Sequence, residues 1–200
     1  HGLVIGSAIG LILTAPLVIY AESIAVMLGA GSIASLAAEY GRILFLGAIF
    51  ILFNTIAYAI LRGEGDTKRT MYAMAFSSIL NAVLDPILIY WAGLGIAGAA
   101  IATVISIVSV SLVIVYWFLI KKDTYLSITL KGFIPDRNVS RDILGVGLPA
   151  SIEYLLMSIL SIVINGILVM VAGTDAVAVY TSGWRLLMFA IIPDIAIATT

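Results

Sequence analysis

The sequence predicts an all-α integral membrane protein, a polytopic helical bundle, and three observations carry that prediction. Of the 200 residues 62% are hydrophobic and 10% charged, whereas a soluble domain is about 45–50% apolar and about 25% charged. The mean hydropathy of +1.20 leaves too little polar surface to face water. The apolar residues run in long blocks rather than with a period of 2 or 3.6, and most blocks reach the roughly 20 residues that cross hydrocarbon. A net charge of −1 leaves no basic field for nucleic acid, and the absence of cysteine excludes disulfides, thiol catalysis and thiolate metal sites.

Six spans are predicted, at residues 2–20, 43–61, 70–91, 96–120, 143–172 and 176–200. In the first, Gly2, Gly6 and Gly10 repeat every four residues and allow close helix approach in lipid. The same block lacks the basic start and small-residue cleavage site of a signal peptide. Because the chain opens on His1–Gly2 and stops inside an apolar run, it is expected to be a segment of a longer protein.

Residues 21–42 hold Glu22, Glu39 and a Gly-Ala-Gly break, and read as a short interfacial helix plus a turn. Residues 62–69 form a polar, glycine-containing turn, and residues 91–95 a tight turn almost without charge. Gly95, Gly98, Ala99 and Ala102 open the fourth span with a second small-residue stripe. The longest connection, residues 121–142, carries Pro135 and mixed charge, with Ser140 as the expected N-cap of the next helix.

Eight of the ten Lys and Arg residues sit in two connections: Arg62, Lys68 and Arg69 in one, Lys121, Lys122, Lys131, Arg137 and Arg141 in the other. The positive-inside rule makes both cytoplasmic. The remaining connections then face outward and share a single basic residue, Arg42. One topology satisfies all six spans, with the cell membrane as the expected location.

Ionisable residues inside hydrocarbon are expensive, which directs attention to Asp85, Glu153, Arg185 and Asp194. Ser78, Asn81 and Asp85 are spaced by three and four residues, so they share one helical face. Pro86 follows, lacks an N–H and is expected to kink the helix, freeing the Ala82 carbonyl as an acceptor. A carboxyl group in such a setting can carry a proton. The bland alternative is that Asp85, six residues from Trp91, reaches the outer interface and merely ends its helix.

Thr103 lies about as far after the Gly95 turn as Asp85 lies before it, so antiparallel packing puts the two at similar depth. Glu153, one turn after Pro149, and Arg185, in the middle of the last span, are read as a polar site that could pair across neighbouring helices. Asn54, Tyr58, Asn165, Tyr180 and Trp184 read first as helix glue or interfacial anchors, with cavity lining as the alternative.

No enzyme chemistry is legible. Tyr-Thr-Ser-Gly-Trp at 180–184 lacks the first glycine of a Gly-x-Ser-Gly nucleophile site, and the lone histidine is His1. No phosphate-binding loop, HExxH or paired metal-ligand spacing occurs, and no organic cofactor is expected.

The run Leu-Arg-Gly-Glu-Gly-Asp-Thr-Lys-Arg-Thr-Met at 61–71, then Leu-Asn-Ala-Val-Leu-Asp-Pro at 80–86, closely resembles the multidrug and toxic compound extrusion (MATE) transporters. Gly-Leu-Gly-Ile-Ala-Gly-Ala-Ala-Ile-Ala-Thr-Val at 93–104, Gly-Leu-Pro-Ala-Ser at 147–151 and Ala-Val-Tyr-Thr at 178–181 continue it in order. The resemblance implies a twelve-helix, two-lobe transporter of which this chain is about the third to eighth helices. Residues 1–120 would be the second part of the N-terminal lobe, 121–142 a cytoplasmic inter-lobe loop and 143–200 the start of the C-terminal lobe.

Such proteins export cationic or amphiphilic compounds against inward flow of protons or sodium ions, by alternating access. In archaeal-type members the fifth helix carries an Asn and an Asp four residues apart and the sixth a Thr, as part of a cation site, and these match Asn81, Asp85 and Thr103. The resemblance thus implies the coupling cation, sodium or a proton, at Asp85, Asn81 and Thr103, with Ser78 on the same face. The first helix, which supplies a further acidic residue in those members, lies outside the chain, so the segment alone is not expected to transport. Another branch places a cation-binding Glu on the seventh helix, and Glu153 matches it only in part, lying closer to Pro149. The implied partners are a drug or organic cation and the lipid bilayer, with a monomeric full-length protein.

Two other readings stand beside this one. A lipid-linked saccharide flippase of the same superfamily would need several cationic side chains facing anionic head groups, and only Arg185 is at hand. A non-transporting membrane protein would use the same polar groups solely to hold helices together.

Overall fold

The computed structural model describes residues 2–27, 33–121 and 136–198, and the side chains of all these except 174, 175, 178 and 193–198. Its elements are α1 (Gly2–Ile19), α2 (Ala21–Met27), α3 (Ala34–Leu46), α4 (Ala48–Gly63), α5 (Thr67–Pro86), α6 (Gly95–Tyr116) and α7 (Arg137–Ala198). Single π-helical turns, Ile87–Trp91 and Trp117–Lys121, extend α5 and α6. All-helical architecture follows from the solvent, because a backbone in hydrocarbon must satisfy its own polar groups. Gly2–Ile19, Thr67–Trp91, Gly95–Lys121 and Arg137–Gly173 are each long and apolar enough to cross a membrane. Ala34–Leu46 and Ala48–Gly63, bent by 51° where they meet, make a fifth crossing if taken together, and Val179–Ile192 is a shorter apolar helix. The chain is a multi-pass membrane protein.

Residues 21–42 depart from the sequence reading of an interfacial helix and turn. The Tyr20 N–H bonds the Pro16 carbonyl at 2.9 Å and the Ile24 N–H bonds the Tyr20 carbonyl at 2.9 Å, so α2 prolongs α1. Helix begins at Ala34 rather than residue 43 and bends by 51° at Gly47, so the span expected at residues 43–61 is part of a bent helix pair. The charges that suggested an interface are accommodated on exposed helix faces, where Glu22 and Arg42 pair at 3.7 Å.

Small residues set the helix spacing. A Cβ on Gly6 would strike Ile56 of α4, and one on Gly10 would lie 3.0 Å from Leu52, so the glycine stripe of α1 is the surface on which α4 rests. Ala57 and Leu61 of α4, Ala73 of α5, and Val110, Ile114 and Phe118 of the sixth helix and its π turn form the buried apolar core, with Trp117 packed against it. At this end Asp66 caps α5, its carboxylate accepting the Arg69 N–H at 3.0 Å and facing Arg69 Nε at 3.1 Å. The Arg69 guanidinium lies 5.8 Å from the centre of the Trp117 ring, within cation–π range.

The chain divides into two compact units, His1–Leu144 and Gly145–Thr200. Helix α7 starts at Arg137, inside the expected connection of residues 121–142, whose residues 122–135 lie outside the described residues. Asp136 rather than Ser140 caps it: the Asp136 carboxylate accepts the Asn138 N–H at 2.7 Å, while Ser140 sits within the first turn and donates its hydroxyl to the Asp136 carbonyl at 2.9 Å. A carboxylate just before the first turn meets free N–H groups that a hydroxyl one turn later cannot reach. In the second unit the helical path breaks at Gly173, at φ 77° and ψ −175°, a backbone state open to glycine.

Candidate functional site

Asn81 and Asp85 sit one turn apart on α5, and α6 returns alongside after a turn in which Gly93 and Gly95 take φ of 67° and 54°. Asp85 lies eight residues before Gly93 and Thr103 eight after Gly95. Each is therefore about 12 Å along its helix from the turn, and the two meet at one depth.

One amide joins them. Asn81 Nδ2 donates to Asp85 Oδ1 at 3.3 Å and to Thr103 Oγ1 at 3.4 Å. Thr103 donates its own hydroxyl to the Ala99 carbonyl at 3.0 Å, which fixes the role of its oxygen as an acceptor toward Asn81. All three side chains are half-buried. With the Asn81 N–H groups engaged, Asp85 Oδ2 and Asn81 Oδ1 remain as acceptors in the cluster.

Pro86 does not break α5. The helix passes through it and widens into the Ile87–Trp91 π turn, with the Ala92 N–H bonding the Ile87 carbonyl at 2.9 Å. A wide π turn directly after a proline is a place where helices bend. The outer part of the span stays helical up to the turn.

Ser78 is not joined to this cluster by a short contact. It is exposed and, one turn from Asn81, lines a groove of about 250 Å³ together with Ser77, Met74, Asn54, Tyr58 and Ile107. Asn54, 6% exposed, donates to the Ile107 carbonyl at 3.1 Å and accepts the Ser111 hydroxyl at 2.8 Å, tying α4 to α6 beneath the groove. Ser111 was not legible as a partner, because serines in apolar helices satisfy themselves on the carbonyl four residues back, as Ser106 and Ser109 do at 2.8 and 2.7 Å. A buried asparagine, which no such local bond satisfies, was the available signal.

Glu153 and Arg185 are both exposed within the second unit, and among the described residues no ion pair joins them. Glu153 lies 20 residues before the Gly173 break and Arg185 only 12 after it. At 1.5 Å per residue that is about 30 Å and about 18 Å along the helix from the break. The Asp194 side chain lies outside the described ones.

Among the described residues no group of three or more His, Cys, Asp or Glu could hold a transition metal. The Asp85 carboxylate and the Thr103 hydroxyl are instead hard oxygen donors of the kind that suit a proton or an alkali cation, and between them stands the Asn81 NH2 group rather than its oxygen. Two oxygens fall short of a full shell, so a bound cation would complete its coordination with water, another helix or the Asn81 oxygen after the amide turns over.

Residues 1–87 match the MatE family model. The chain is 33% identical over 185 residues to the multidrug export protein MepA of Staphylococcus aureus, covering 92% of this chain and 41% of that protein. Its fold matches a MOP superfamily transporter from Pyrococcus furiosus at a TM-score of 0.90 and 45% identity, over 98% of this chain and 44% of that one. An inward-facing multidrug resistance MATE family transporter matches at 0.85 and 45% identity, over 96% of this chain and 44% of that one. The chain therefore spans about two fifths of the length of its relatives.

Proposed function

Given that this chain belongs to the MATE family, we propose that the protein containing it is a secondary antiporter that exports cationic or amphiphilic drugs in exchange for protons or sodium ions. The observation that carries the reading is the Asn81 amide bridging Asp85 and Thr103 across two helices. An ionisable group held at that depth costs free energy that helix packing alone does not require, and its use is to receive a charge.

In this reading Asp85 takes the coupling cation, Thr103 supplies its hydroxyl oxygen, Asn81 turns its amide to present its oxygen when the cation displaces the bridge, and the groove beside Ser78 receives the drug. Its lining of Met74, Tyr58, Ile107, Ser77 and Asn54 is mostly apolar with a few hydroxyl and amide groups, as an amphiphilic organic cation needs. Both sites use one face of α5, so cation occupancy at Asp85 alters helix packing at the groove and lowers drug affinity. Drug and cation then compete by linkage, and a change of access between the two sides of the membrane completes the exchange. Among the described residues no basic side chain lines the groove, so nothing there favours the flippase reading.

The test is Asp85→Asn in the full-length protein, which keeps the side-chain volume and removes the titratable charge. Dye efflux from expressing cells should be lost while the amount of protein in the membrane stays as in the wild type. Asn81→Ala should weaken coupling less. Unaltered efflux with Asn at 85 refutes the role.

A further inference from the structure

The geometry points to Gly98 as the positioning residue that sets the α5–α6 spacing on which the Asn81–Thr103 bridge, and hence the affinity for the coupling cation, depends. This rests on the reading of Asp85 as the cation site. A Cβ built on Gly98 would lie 2.6 Å from the Leu88 carbonyl oxygen and 2.7 Å from its carbon. Close contact between a carbon and a carbonyl oxygen needs about 3.3 Å, so an alanine there forces the backbones apart by about 0.7 Å.

No side chain can relieve the clash, since the atoms in the way are backbone. Leu88 lies in the π turn that follows Pro86, and its carbonyl is held on another side by the Leu94 N–H at 3.1 Å. The contact sits three residues from Asp85 on one helix and five from Thr103 on the other. The bridge from Asn81 to Thr103 is 3.4 Å long, already at the end of hydrogen-bond reach. Separation of the helices by the amount an alanine demands breaks it, leaving Asp85 bonded to Asn81 but detached from α6. The absent side chain at 98 thus tunes the cation site while lying outside it.

The experiment uses the full-length protein in proteoliposomes and measures drug efflux against pH and against sodium concentration, beside drug binding without a gradient. Gly98→Ala should raise the half-activating cation concentration about tenfold and leave the drug dissociation constant within about twofold. Adding Asn81→Gln, whose longer side chain spans the wider gap, should restore part of the cation affinity, a rescue that a merely structural role would not give. If Gly98→Ala does not accumulate, Thr103→Val, which removes the acceptor of the same bridge without widening the helices, should shift cation dependence in the same direction. Wild-type cation dependence in whichever of these variants accumulates overturns the assignment. If Asp85→Asn abolishes coupling while Gly98→Ala changes nothing, the positioning role fails alone; if Asp85→Asn keeps wild-type cation dependence, the cation-site reading itself fails.

Discussion

The α5–α6 hairpin and helix α7 each carry polar and ionisable side chains inside apolar helix, yet of the two, among the described residues, only the hairpin gathers them. Asp85 and Thr103 stand eight residues either side of a tight glycine turn, so their depths agree and one amide can bridge them. Glu153 and Arg185 stand 20 and 12 residues either side of Gly173, and the described residues hold no contact between them. In the hairpin, what brings polar residues together is their equal distance from the turn that reverses the chain. Opposite charge alone does not join Glu153 to Arg185.

That contrast can be sharpened or broken by mutation. The largest effect is expected at the bridge itself: Thr103→Val removes the acceptor on α6 and should weaken cation affinity about tenfold, about 1.4 kcal/mol, whereas Thr103→Ser should stay within about twofold. Equal losses in both, read from the cation dependence of efflux, would make the threonine a packing residue. Next comes the second polar tie of the first unit. Asn54→Leu removes the tie between α4 and α6, leaving the Ser111 hydroxyl only its bond to the Ile107 carbonyl at 2.9 Å, and should cost about 1 kcal/mol in thermal unfolding, the scale of interhelical hydrogen bonds in membranes.

A smaller effect is expected where the pair is exposed. Glu22→Gln should cost about 0.5 kcal/mol or less, and less again at high salt, since Glu22 and Arg42 are 61% and 48% exposed. The smallest is expected in α7, where a double-mutant cycle of Glu153→Gln and Arg185→Gln should be additive within about 0.5 kcal/mol. A coupling well above that would erase the contrast between the two units.

Much of this site was legible before any coordinates. The four-residue spacing of Asn81 and Asp85 fixes a shared helical face, and counting residues from the Gly93–Gly95 turn puts Thr103 opposite. The ends of helices were harder to read. Residues 21–42 contain three charges and several glycines, a composition that suits an interface, yet Ala21–Met27 prolongs α1 and Ala34–Leu46 opens the bent crossing. Charge on one exposed face of a helix and charge in a surface turn look alike in composition. The Asn54–Ser111 tie was hidden for a different reason, because it joins residues 57 apart on helices separated by all of α5, so no single turn sets their relative depth. Ser78 was grouped with Asn81 by helical periodicity, but one turn along the helix was enough to move it from the cation cluster to the groove.

The π-helical turn Ile87–Trp91 also bears on how such a chain tolerates changes of length. An α-helix turns about 100° per residue, so an inserted residue rotates everything beyond it and scrambles which side faces a neighbour. A wide turn absorbs one surplus residue as a bulge, leaving the orientation of the segments above and below intact. Loss of one residue from this stretch would let it rewind to ordinary pitch, with Asp85 on one flank and the Gly93 reversal on the other keeping their facings. Single-residue indels between homologous spans are thus most cheaply accommodated here, between the Asn81–Asp85–Thr103 cluster and the loop.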